Sequence, residues 1–227
     1  MPSSGLDFFP LALPFLLALF FLVGIVIVLV EVGVLRYAYK KMGISRQYVF
    51  SILLLSLLGS YVNIPVARLP AKRVVSGEEV SFFGMRYQVP VVERGAGTVI
   101  AVNLGGAVVP TLLSIYLVWK NRLYLRSLIA ILIMAAIVHA VAQPVRGVGI
   151  AVPIFIPPLV AASLGLILSR GSAPALAYVG GSLGTLLGGD IMNLGRVQAL
   201  GAPILSIGGA GTFDGIFLTG ILAVLLA

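Results

Sequence analysis

Between Phe8 and Leu35 the chain runs 28 residues with a single charged side chain, Glu31. Comparable apolar runs recur to the last residue, separated by basic residues that stand singly or in pairs. About 20 apolar residues wound as a helix cross the hydrocarbon of a bilayer. Lipid offers the backbone no hydrogen bonds, so a spanning segment must be a helix or part of a closed barrel. The strand-length alternation that a barrel requires is absent from these runs. The expected fold class is therefore all-α, a polytopic transmembrane helical bundle. Composition agrees, with 60% of the 227 residues hydrophobic and 10% charged. A soluble domain carries roughly a quarter of its residues as charges, and mean hydropathy here is +1.15.

About seven spans are expected, near residues 8–35, 49–67, 97–119, 123–143, 148–168, 173–194 and 206–227, forming one integral membrane domain over 1–227. Pro10, Pro14, Pro65, Pro110, Pro153, Pro157 and Pro158 fall within them and predict kinked or broken helices. Arg36, Lys40, Lys41 and Arg46 lie between the first two spans, and Lys120, Arg122 and Arg126 between the third and fourth. Placing both basic loops in the cytoplasm puts the N-terminus outside a cell membrane and the C-terminus inside. The first apolar run is too long for a cleavable signal peptide and continues to Glu31 and Arg36. A net charge of +8 could suggest nucleic acid. The dispersed bases are placed as membrane anchors instead, so the expected partner is the lipid bilayer and not nucleic acid. With no cysteine, disulfides, thiol catalysis and cysteine metal sites are excluded. No cofactor is indicated, and the oligomeric state is left open.

One polar stretch, Lys72–Arg94, interrupts the pattern and is bounded as an extramembrane insertion over residues 70–95. Val74-Val75, Val80-Ser81-Phe82-Phe83 and Tyr87-Gln88-Val89 around Ser76-Gly77 predict a small hairpin on the outer face. It is either a structural loop or a platform for an extended peptide. No internal repeat of the kind seen in many transporters is visible.

Charges inside spans are disfavoured by roughly 2.5–3.5 kcal/mol each on insertion scales, so they need a reason. Glu31 lies near Arg36 and fits an interfacial position. Asp190 and Asp214 lie inside apolar, glycine-rich runs. At 1.5 Å rise per residue they fall roughly 6 and 12 Å below the outer boundary, close enough in depth to face each other across a helical hairpin. Asn63, Asn103, His139, Gln143 and Asn193 fall at a similar height. His139 and Gln143 sit at i and i+4 near the outer end of the fourth span, on one face. Gly188 and Gly189 precede Asp190, and Gly211 and Gly215 flank Asp214. Glycines there permit close helix packing or the approach of a substrate to the backbone.

Two carboxylates in contact share a proton, so one can activate water while the other donates to a carbonyl oxygen. The run Gly211-Thr212-Phe213-Asp214-Gly215-Ile216-Phe217 resembles the Gly-x-Gly-Asp segment of intramembrane aspartyl proteases such as presenilin, signal peptide peptidase and prepilin peptidase. That resemblance implies a catalytic pair of Asp190 and Asp214 acting on membrane-spanning peptides. Phe213 replaces the motif's second glycine, and no Pro-Ala-Leu follows the second aspartate. Over the whole chain, Pro144-Val145-Arg146-Gly147-Val148-Gly149-Ile150 and Ser206–Gly215 resemble the hallmark stretches of a family of archaeal and bacterial multipass proteins known as a domain of unknown function. That likeness implies no activity.

Other readings stay open. A proton- or cation-coupled transporter could use Asp190, Asp214 and His139. A metal site on the same three residues is disfavoured by the single histidine and the lack of a His-Glu-x-x-His motif. No metal is therefore expected. A scaffold could also use the polar layer only to join helices.

Overall fold

The structure, a computed structural model, describes residues 31–68, 79–82, 85–88, 99–145, 149–199, 204–209 and 215–227, together with Phe21 and Val28. Asp214, Gly211, most of the first expected span, Arg146–Val148 and much of the polar stretch 72–94 lie outside the described residues.

The chain is mostly helical. Helix α1 covers residues 31–41, α2 Arg46–Gly59, α3 Val109–Asn121 and α4 Tyr124–Val141. Helix α5 covers Ile156–Leu168, α6 Ala173–Thr185 and α7 Gly215–Leu226. Of the prolines expected to break helices, Pro110, Pro157 and Pro158 start them instead. They sit in the first turn of α3 and α5, as Pro174 does in α6, where the missing N–H has no partner to lose. Among the described residues α4 alone is long and apolar enough to cross a membrane, by length and composition.

The all-α expectation needs a correction. Strands β1 (Asn63–Arg68), β4 (Val99–Asn103) and β7 (Ile204–Ile207) form a mixed sheet in the order β1-β4-β7. Between them in sequence, β2 (Glu79–Phe82) and β3 (Met85–Gln88) pair as an antiparallel hairpin. A second small pair joins β5 (Gln143–Val145) to β6 (Gly149–Ala151). The expected spans at 49–67, 97–119, 123–143, 148–168 and 206–227 thus each carry a strand at one end. Short β-branched runs beside an apolar helix have the same hydropathy as the helix, so length alone could not separate them. Pro65 is tolerated because β1 is an edge strand with a bulge between Pro65 and Ala67.

Helix α6 is the axis of the bundle, with Ala175–Ser182 all buried and α3, α4, α5 and α7 around it. Its stripe Gly180, Gly184 and Gly188 faces α4: Cβ atoms there would meet Ala130, Met134 and Ala135 respectively. Successive contacts advance together along the two helices, so α4 and α6 run parallel. On the other side Gly181 packs against Ala161 of α5 and Thr219 of α7.

The interior mixes Ala, Gly, Ser114, Ser127 and Ser182 with large side chains such as Tyr39, Leu117, Met134, Leu176 and Tyr178, whereas Ile167 (77% exposed), Trp119 (71%) and Leu125 (69%) point outward. One end of the bundle is basic. Lys41 Nζ donates to the Leu225 carbonyl at 3.3 Å, Lys120 Nζ donates to the Gly43 carbonyl, and Arg126 donates to Ser169 Oγ at 3.1 Å. The mixed sheet lies at the other end.

Candidate functional site

The polar residues concentrate where the mixed sheet meets two interrupted helices. After β4 the chain enters a π-helical turn, Leu104–Val108, before α3. After α6 it enters another, Leu186–Asp190, and then a 3-10 segment, Ile191–Ala199. Such turns free backbone groups from the regular ladder and occur often at functional sites. Both contain a Gly-Gly pair, at 105–106 and 188–189.

Asn103 closes the first turn. Its Oδ1 accepts from the Gly106 N–H at 2.7 Å, and its Nδ2 donates to the Ser60 carbonyl at 2.7 Å and to Asn63 Oδ1 at 3.1 Å. Ser206 Oγ lies 2.6 Å from the same Asn63 oxygen and also within reach of the Gly209 carbonyl. The register of β1 against β4 sets Asn63 opposite Asn103. One cluster therefore ties all three strands together, with Asn103 itself 1% exposed.

Asn193 closes the second turn by donating Nδ2 to the Gly188 and Gly189 carbonyls at 2.8 and 2.9 Å. It is fully buried. Asp190, half-buried, accepts the Gly208 N–H on Oδ2 at 2.8 Å. Gly208 and Gly209 have φ of +89° and +81°, a conformation that side chains resist. This pair ends β7. A Cβ on Gly106 would collide with the Gly208 carbonyl oxygen, so the two diglycine segments touch backbone to backbone.

The structure thus brings together Asn63, Asn103, Asp190, Asn193 and Gly188, but by different means from those expected. Asn63 belongs to an exposed edge strand and not to a helix end. Gln143 leaves the layer with His139, because α4 ends at Val141 and Gln143 opens β5, exposed. Gly188 is required by close contact with the Ala135 backbone, whereas a Cβ on Gly189 would find ordinary contacts at 3.6 Å. Gly215 opens α7, and among the described residues nothing lies within 4 Å of a Cβ placed there. Asp214 immediately precedes α7 in sequence.

His139 lies level with Asp190, since Val138 meets Gly189 across the parallel pair α4 and α6. Its Nδ1 is buried and has no hydrogen-bond partner among the described residues. Among those residues no three His, Cys, Asp or Glu side chains gather as a metal site. Sequence reasoning missed Ser60 and Ser206 and marked Gly208 only for close approach around Asp214. The repeated signal that could have pointed to Ser206 is a Gly-Gly pair beside an amide, hydroxyl or carboxylate: Asn103-Leu-Gly-Gly, Leu-Gly-Gly-Asp190 and Ser206-Ile-Gly-Gly.

No curated protein and no solved structure matches the chain. The family model described as a protein of unknown function, DUF1614, matches residues 57–226. This span holds Asn63, Asn103, Asp190, Asn193 and Ser206, and the chain belongs to the DUF1614 family.

Proposed function

We propose that the chain is a multipass membrane protein of the cell membrane that hydrolyses peptide bonds of membrane-spanning substrates, using Asp190 and Asp214 as a catalytic pair. Membrane embedding is supported by the outward Leu, Ile, Phe and Trp side chains and by the Gly and Ala contacts that α6 makes with α4 and α5, since helices in lipid associate through Gly, Ala and Ser. The gathering of Lys41, Lys120 and Arg126 at one end favours that end as cytoplasmic, with the C-terminus inside and the N-terminus outside.

The observation that carries the catalytic proposal is the hydrogen bond from the Gly208 N–H to Asp190. It fastens the start of the segment bearing Asp214 to the other carboxylate. In the proposed reaction one carboxylate takes a proton from water as the new C–O bond forms. Its partner protonates the carbonyl oxygen, and a proton passes to the leaving amine as the C–N bond breaks. Asp190→Asn and Asp214→Asn keep side-chain size, and asparagine at 214 still suits the start of a helix. Each variant, reconstituted with a membrane-spanning model peptide, is expected to lose cleavage by at least about 100-fold. Retained cleavage in either one overturns the pair.

A second reading, proton- or cation-coupled transport, is favoured by the unpartnered His139 Nδ1 level with Asp190. Flux of protons or cations into proteoliposomes, lost with His139→Leu and accompanied by no peptide cleavage, selects it. Embedding is tested separately by alkaline extraction of membranes. Because the chain lacks cysteine, the orientation can be tested with Asn121→Cys and Ser81→Cys. The first is expected to label from the cytoplasmic side and the second from outside.

A further inference from the structure

Beside Gly106, residues of α1, α2 and the first π turn line an open cavity of about 330 Å³. Its walls include Val32, Leu35, Phe50, Leu53 and Leu54, with Phe217 of α7. Small-molecule sites span roughly 300–1,000 Å³ and are mostly apolar with a few polar groups. The hydroxyls of Ser56 and Ser60, which also line it, are already engaged with the Gly105 and Leu57 carbonyls.

Two charged residues line the cavity, Glu31 and Arg36. Arg36 lies five residues farther along α1, about 7.5 Å nearer the basic end at 1.5 Å per residue. It is exposed and has no acidic partner among the described residues. Lys40, Lys41, Lys120 and Arg122 continue the same end of the bundle, and no Asp or Glu is described among them.

We infer that this cavity binds an anionic lipid, its acyl chain lying between α1 and α2 and its phosphate headgroup held by Arg36. The apolar walls suit a hydrocarbon chain, and a cation with no acidic partner among the described residues, toward the basic end, suits an anionic head. The inference rests on the membrane embedding proposed above and is independent of the chemistry at Asp190.

The test uses the full chain in nanodiscs of equal parts dioleoyl phosphatidylglycerol and dioleoyl phosphatidylcholine, transferred to detergent for native mass spectrometry. One phosphatidylglycerol is expected to stay bound in preference to phosphatidylcholine. Arg36→Glu is expected to lower that retention at least about fivefold, the factor set by roughly 1 kcal/mol per basic residue at a membrane surface. Leu54→Trp, at an exposed position that tolerates bulk, narrows the cavity and is expected to lower retention of both lipids. Glu31→Gln is expected to leave it unchanged. Equal retention of the two lipids by the unmodified protein, or retention unaffected by both Arg36→Glu and Leu54→Trp, overturns the site. A protein that extracts from membranes at alkaline pH refutes the embedding instead, so the two failures are distinct.

Discussion

Replacing Gly106 with alanine tests the contact on which the candidate site is built. The added Cβ would meet the Gly208 carbonyl oxygen head-on and lie 3.0 Å from the Gly208 carbonyl carbon, with Asn103 Oδ1 at 3.4 Å. Backbone cannot swing aside as a side-chain end can. If both segments hold, the overpacking is worth about 1–3 kcal/mol. If the loop after β7 retreats, the Gly208 bond to the Asp190 carboxylate is lost, worth about 1.5–3 kcal/mol for a charged partner. Either route gives about 1–3 kcal/mol. At roughly 2–4 °C per kcal/mol for a chain of this size, the unfolding midpoint in detergent should fall by about 2–12 °C. The cleavage proposed for Asp190 should fall with it, although no acidic residue has been touched. Gly33→Ala is the control. A Cβ there finds nothing within 4 Å, and alanine is favoured in a helix by about 0.5–1 kcal/mol. Its midpoint should be unchanged or higher. An unshifted midpoint for Gly106→Ala, or an equal fall for Gly33→Ala, refutes the close contact of the two diglycine segments.

Asn103→Asp keeps the acceptor for the Gly106 N–H but turns a second oxygen toward the Ser60 carbonyl and Asn63 Oδ1. With no donor between those acceptors, the variant should lose about 1–3 kcal/mol, read as a lowered thermal midpoint. His139→Leu removes a buried nitrogen that has no partner among the described residues. Its stability should be unchanged or raised by about 1 kcal/mol, so any loss of function in that variant is chemical and not a folding defect.

Much of the helical architecture could be read from apolar run length, because lipid-length runs between basic residues have few other uses. Run length could not show where each helix stops. Val99–Asn103 and Ile204–Ile207 are as apolar as the helices they adjoin, and only pairing with a distant strand makes them extended. Asn103 and Asn193 were legible as misplaced amides in apolar runs. Their roles were not, since both serve backbone groups freed by π turns that no periodicity announces. His139 and Gln143 failed as a pair for a local reason. Ala142 is extended at ψ 130°, and the i, i+4 relation ends with the helix at Val141. Asp190 was found through its charge, while its partner Gly208 was hidden because a backbone N–H leaves no trace in side-chain chemistry.

The central strand of the mixed sheet sets an order of assembly during synthesis. Its antiparallel neighbour β1 precedes it, but its parallel neighbour β7 is made roughly a hundred residues later. At about 5–20 residues per second the β4 edge waits some 5–20 s for its partner. Asn63 and Asn103 can meet early in that interval. The clasp between Gly208 and Asp190 cannot close until β7 has left the ribosome. The clasp is thus among the late contacts of the molecule, and a nascent chain stopped short of Ile204 lacks both it and α7.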